Sequence, residues 1–196
     1  MKSVDEIKIV LANKKYRFFD TGAYNLNIIG VRSANRTANA FDDDFYFIYR
    51  DGTNQQIVKH FKGTTDPGLD SLQKCENSKG CAIMVPGQYV GLWKLGLHKG
   101  QYEALVQSNP VKVYRDGDKD AILDLNHQTI DSGIFGINFH HANMTAVSTL
   151  VGGWSAGCQV LNNPADFAVA LDLCKKSAEK YGNSFTYTLI EECDFK

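Results

Sequence analysis

From residue 81 onward one β-rich run follows another at short intervals, CAIMV, YVGLWKLGL, EALVQ, VKVYR and GIFGINFHH, with turn residues between them. Short runs of branched and aromatic residues broken by Gly, Asp, Asn and Ser leave no room for long helices, and brief connections favour antiparallel neighbours. The chain is therefore expected to be mainly β, a β-rich α+β protein built on an antiparallel sheet or sandwich. One later segment breaks the pattern. Asn163 can cap a helix with Pro164 at its first position, Phe167, Ala170, Leu171, Cys174 and Ala178 recur at helical spacing, and Gly182 ends it. SFTYTLIEE then closes the chain as a strand.

The N-terminal third reads the same way. Ser3 and Glu6 have capping-box spacing ahead of Ile7, Val10 and Leu11, which predicts a helix near residues 4–14, with a strand as the competing reading. Tyr24, Leu26 and Ile28 alternate with Asn25 and Asn27, the period of a half-buried strand. FYFIYRDGTNQQIVKHF carries two β-rich runs around Asp51 and Gly52, a hairpin signal. Residues 63–80 are polar and turn-rich, and suggest a surface loop. This divides the chain into a β-rich N-terminal region at 1–65, packed on or appended to the rest, a loop at 66–80 and a C-terminal domain at 81–196.

Composition excludes several classes. With 17 Gly, 4 Pro and 43% hydrophobic residues among 196, neither disorder nor a collagen-like repeat fits. Charges nearly cancel, 21 Lys and Arg against 22 Asp and Glu, so nothing draws the chain to nucleic acid or anionic lipid. Asp5 and Glu6 interrupt any secretory apolar run, so no export signal is expected. Residues 142–165 hold no charged side chain, but Gly152, Gly153, Asn162, Asn163 and Pro164 argue against a membrane span and for a place inside the protein. The five cysteines, Cys75, Cys81, Cys158, Cys174 and Cys193, are too few and too irregular for a disulfide scaffold. Cys75 and Cys81 could close a small loop or be unrelated thiols.

Chemistry concentrates in GINFHHANMTAVSTLVGGWSAGCQV, two adjacent histidines followed by a glycine-rich turn holding Ser155, Ala156, Gly157 and Cys158. A thiol nucleophile needs a base within reach, small neighbours that admit a carbonyl, and backbone amides to hold the oxyanion. A buried structural cysteine after a glycine turn is the alternative. Along the strand, Phe135, Ile137, Phe139 and His141 share one face and Gly136, Asn138 and His140 the other. The first set is the natural core face, which makes His140 the candidate base.

His140 precedes Ser155 by a short gap, and Cys158 follows three residues later. This order resembles the L,D-transpeptidase (YkuD-like) family, whose signature is a histidine, a short gap, then Ser or Thr, His, Gly, Cys. VPGQY at 85–89 resembles that family's Thr-Pro-x-Gly-aromatic strand motif, and GINFH its strand into the catalytic histidine. The likeness covers roughly 81–192. It departs at Ala156, where the family has a second histidine, and at Gln159 and Val160. The resemblance implies Cys158 as nucleophile, His140 as base, the His141 carbonyl as the group orienting the imidazole, and amides around Gly157 and Cys158 as the oxyanion hole. Trp154, Ser155 and Tyr89 would contact substrate, with a core position as the alternative for Trp154. The implied partner is a peptidoglycan stem peptide, cleaved or exchanged at an L,D bond without cofactor, and hydrolysis is favoured by the loss of the second histidine. Without an export signal, cytoplasmic synthesis with delivery by phage lysis or a secretion machine is expected. A non-catalytic β-rich binding or structural module is the rival reading.

Two further groups could hold a metal by composition alone. Asp116, Asp118, Asp120 and Asp124 occupy positions 1, 3, 5 and 9 of a calcium-loop template, but Ala121 replaces its glycine and His127 its final carboxylate, so a solvated acidic hairpin is expected. His140, His141 and Cys158 have no fourth zinc ligand at suitable spacing, so no metal is assigned there, and His98 reads as a surface residue.

Overall fold

Ser3 and Glu6 satisfy each other. The Ser3 hydroxyl accepts the Glu6 amide at 3.3 Å and the Glu6 carboxylate accepts the Ser3 amide at 2.7 Å, and helix α1 runs Val4–Asn13. The computed structural model describes residues 1–196, so the helical reading of this segment holds over the strand.

Three strands follow: β1 (Asn27–Arg32), β2 (Asp43–Arg50) and β3 (Gln56–Thr64). The last two form the expected hairpin, in register from Asp43↔Gly63 to Arg50↔Gln56, with Asp51 Oδ1 accepting the Thr53 and Gln55 amides in the turn. After helix α2 (Leu69–Gln73) come β4 (Cys81–Met84), β5 (Gly87–His98), β6 (Tyr102–Gln107), β7 (Val111–Asp116), β8 (Asp131–Gly133), β9 (Phe139–His141) and β10 (Gln159–Leu161). Helix α3 (Pro164–Tyr181) and β11 (Phe185–Glu191) follow, and a short 3-10 helix at Glu192–Phe195 comes last. Asn163 caps α3 through the Ala165 amide at 3.0 Å, with Pro164 in the first turn and Gly182 at its end.

The fold is mainly β with one C-terminal helix, and its strands close on themselves. The barrel order is β1-β11-β5-β6-β9-β10-β3-β2, while β4, β7 and β8 form a separate antiparallel sheet. Two pairings are parallel, β1 with β11 and β9 with β10. The N-terminal third is thus no appended region: it supplies three of the eight barrel strands. Trp93, Phe45, Phe47, Phe139 and Tyr187 fill the interior, with the Phe139 ring 5.7 Å from each of Phe45, Phe47 and Trp93. From α3, Phe167, Ala170, Leu173 and Cys174 join this core.

Three expectations change. The segment beginning β1 is buried on both faces, not one, because Ile28 enters the barrel while Ile29 and Val31 pack beneath Ile7, Val10 and Leu11 of α1. Residues 63–68 are buried, not a surface loop, because their polar groups have internal partners. Arg32, wholly buried, places Nε 2.9 Å from Asp66 Oδ1 and donates to Thr65 Oγ1 at 3.0 Å, and Asp43 Oδ2 accepts the Thr65 amide at 2.6 Å. The uncharged stretch 142–165 lies inside only in part: Ala142, Val151, Ser155 and β10 are buried, but Met144, Val147, Leu150 and Trp154 are exposed on the connection between β9 and β10. No helix is long and apolar enough to cross a membrane.

Candidate active site

The parallel pairing of β9 and β10 creates the site. Val160 sits opposite His140 and Gln159 opposite Phe139, with the Gln159 amide donating to Asn138 O at 2.8 Å. Side chains alternate along a strand, so Cys158, two residues before Val160, emerges on the same side as His140. The opposite side carries Phe139 and Leu161 into the core. Both Cys158 and His140 line one cavity of about 320 Å³, together with His98, Lys99, Asn138 and Trp154. That volume falls at the lower end of the range for small-molecule pockets.

The turn before Cys158 is fixed by its own small residues. Ser155, with no exposed surface, accepts the Gly157 amide at 3.1 Å and donates to the Cys158 carbonyl at 2.8 Å. Gly157 has φ +119°, and a Cβ there would meet the Ala82 carbonyl of β4 well inside 3.0 Å, so only glycine fits. Two assignments are corrected by this geometry. Ser155 braces the turn from within and cannot touch a substrate. The Gly157 amide is already engaged, which leaves the Cys158 amide, bonded to no group in the chain, as the free backbone donor of the turn.

His140 is held by backbone. Its Nδ1 lies 2.7 Å from His141 O and 3.3 Å from the Tyr102 hydroxyl. A carbonyl can only accept, so Nδ1 carries the proton and Nε2 keeps its lone pair. Nε2 is buried and has no partner in the chain. The His141 ring lies outside the cavity, stacked on Tyr102 at 4.5 Å and edge-on to Phe167 at 5.2 Å, and only its carbonyl serves the site.

His98 is not the surface residue that its turn sequence suggests but part of the site. It is buried, its ring 4.1 Å from that of His140, and its Nδ1 is 3.1 Å from Asn138 Nδ2. No local signal reveals this, because the position depends on the β5–β6 hairpin pairing His98 with Tyr102 and on β6 then meeting β9. Tyr89 is the second correction among the substrate contacts: its hydroxyl donates to Val85 O at 2.7 Å and it does not line the cavity. Trp154 does line it, with 45% of its surface exposed, so it is no core residue.

The electrostatics keep both groups neutral at rest. Burial, then the neighbouring His98, pushes the His140 imidazole down to about 3. Burial raises the Cys158 thiol, against the pull of the Asn138 amide and Lys99. The thiol donates to Gly136 O at 3.3 Å, so the resting pair is thiol and free imidazole, not thiolate and imidazolium. By contrast, Cys174 is fully buried on α3 and its thiol is raised beyond the useful range. Cys81, buried beside Cys75, is raised to about 12. All five cysteines are free.

Behind the site a polar chain ties β10 to the rest of the barrel. Tyr187 donates to Gln159 Oε1 at 2.6 Å, and Gln159 Nε2 donates to Thr65 O at 3.2 Å, next to Arg32. The residue beside the cysteine is thus anchored by the N-terminal third of the chain. Comparison with family models, curated proteins and solved structures finds no match to this chain.

Proposed function

We propose that the protein is a cysteine-dependent acyl-transfer enzyme of the L,D-transpeptidase type, acting at L,D bonds of peptidoglycan stem peptides. The observation that carries this reading is the free, unprotonated Nε2 of His140, its tautomer set by the His141 carbonyl, in the same cavity as the Cys158 thiol. A purely structural cysteine would not need a buried imidazole with an unsatisfied lone pair lining the same cavity.

Catalysis begins when the thiol leaves Gly136 O and passes its proton to His140 Nε2 as sulfur bonds to the carbonyl carbon on the L-centre side. The Cys158 amide receives the developing oxyanion. Collapse breaks the C–N bond, and His140 returns the proton to the departing D-amino group. Water or an amine, deprotonated by Nε2, then resolves the thioester. Lys99 at the cavity mouth suits a substrate that ends in a carboxylate, and Trp154 offers an apolar wall. Loss of the signature's second histidine at Ala156 favours water as acceptor. Incubation with purified muropeptides followed by mass spectrometry tests this: shortened stems or an exchanged D-residue are expected, and intact muropeptides of every stem length would contradict it.

A further inference from the structure

The turn after β7 gathers four aspartates, Asp116, Asp118, Asp120 and Asp124, and none takes part in any ion pair of the chain. Arg115, next to them in sequence, is turned to Asp131 at 3.2 Å. The fold nevertheless brings three of these like charges together. Oxygens from Asp116, Asp118 and Asp124 all lie within 4.8 Å of one another. Asp120 is turned away, its Oδ1 accepting the Ile122 amide at 2.6 Å.

Asp116 supplies an independent pointer. It is 2% exposed; Oδ2 accepts the Asp124 amide at 3.0 Å, while Oδ1 is buried and accepts no hydrogen bond. A buried carboxylate oxygen without a donor is costly unless a proton or a cation satisfies it. The backbone on either side of the turn is held in place. Ala38 donates to Ala121 O and Leu123 to Arg36 O, both at 2.8 Å, and β7 pairs Asp116 with Cys81.

We propose that Asp116, Asp118 and Asp124 form a calcium site. All three ligands are hard oxygens, which selects calcium, magnesium or manganese over zinc. Calcium–oxygen bonds of about 2.3–2.6 Å place opposite ligands about 4.6–5.2 Å apart, a span that accommodates this cluster as it stands. Magnesium, at about 2.0–2.1 Å with near-ideal octahedral demands, would need the carboxylates drawn to a stricter arrangement. Backbone carbonyls and water complete the shell. The loop departs from the sequence template at Ala121, but its left-handed turn is made at Lys119, with φ +66°, so the missing glycine does not prevent closure. Binding braces β7, and through it β4, whose Ala82 carbonyl lies against Gly157 of the cysteine turn.

Calorimetric titration of the chelator-stripped full chain with calcium chloride alone, beside thermal unfolding, tests the assignment. One ion per chain is expected. At 100 times the dissociation constant, the folded-to-unfolded ratio rises about 100-fold, a melting shift on the order of 6 °C. Asp118→Asn and Asp124→Asn, both at exposed carboxylates, should each weaken binding at least ~10-fold, because each removes a charged ligand. Their calcium-free melting temperatures should not fall, since each also relieves like-charge repulsion. No binding heat and no shift at millimolar calcium would overturn the site, as would binding unchanged in both variants or tighter binding of magnesium than calcium.

Discussion

Replacing His140 with Gln should flatten the acid limb of the protein's stability profile. The imidazole titrates at about 3 in the fold and at 6.5 when unfolded, so between these values the unfolded chain binds the extra proton. Its folded pKa is depressed: the contribution of the neutral imidazole is fully present above pH 6.5 and is lost as pH falls toward 3. Near pH 5 the slope approaches 1.4 kcal/mol per pH unit, and from pH 7 to 4.5 the loss integrates to about 2.5 kcal/mol. Asp43, raised to about 7 by burial and by Asp66, and Asp116, raised to about 6, act with the opposite sign because the fold holds their protons more tightly. Subtracting variant from wild type cancels both. Urea unfolding at pH 7.0, 6.0, 5.0 and 4.5 should give a stability difference that shifts by about 2.5 kcal/mol across the series. Parallel profiles would refute the buried neutral imidazole, and so would a wild-type His140 NMR signal titrating near 6.5.

Cys158→Ala should abolish turnover without lowering the melting temperature much, whereas Cys174→Ala should stay active and lose roughly 1–2 kcal/mol to a small cavity; activity and thermal unfolding of both separate the two roles. Gly157→Ala should cost roughly 2–4 kcal/mol, because φ +119° is strained for alanine and its Cβ meets the Ala82 carbonyl, and an unchanged melting temperature would contradict that packing. His140→Ala should slow the chemical step 10²-fold or more, while His141→Ala should keep it and lose about 1 kcal/mol of stacking on Tyr102 and Phe167; single-turnover rates decide, and the reverse outcome would exchange their roles.

Local chemistry made α1, α3 and the β2–β3 hairpin legible in advance, because Ser3 with Glu6, Asn163 with Pro164, and Asp51 with Gly52 act within a few residues of themselves. The same holds for the alternation that sends His140 to the cavity and His141 away from it, but only within Phe139–His141: residues 134–138 are not strand, and Phe135 and Ile137 line the cavity beside Gly136 and Asn138. What escaped depends on long-range pairing. Nothing near Ile28 says that β1 runs parallel to β11, which comes more than 150 residues later and helps close the barrel. Polarity misled at 63–68, where Thr65 and Asp66 are buried because Arg32 and Asp43 wait for them. Apolarity misled at Met144, Val147 and Leu150, which stand in solvent. Ser155 and Tyr89 were legible as neighbours of motifs, but their partners, Cys158 O and Val85 O, turn them into braces of the backbone.

The most direct test of the central claim is acid-quenched intact-mass spectrometry of the protein mixed with a synthetic stem peptide containing one L,D bond. Wild type should carry an acyl adduct equal in mass to the peptide minus the released D-amino acid, mapped to the Cys158 peptide, with an equivalent of that D-amino acid released. Cys158→Ala should show neither. Release of the D-residue by that variant at the wild-type rate would contradict the account.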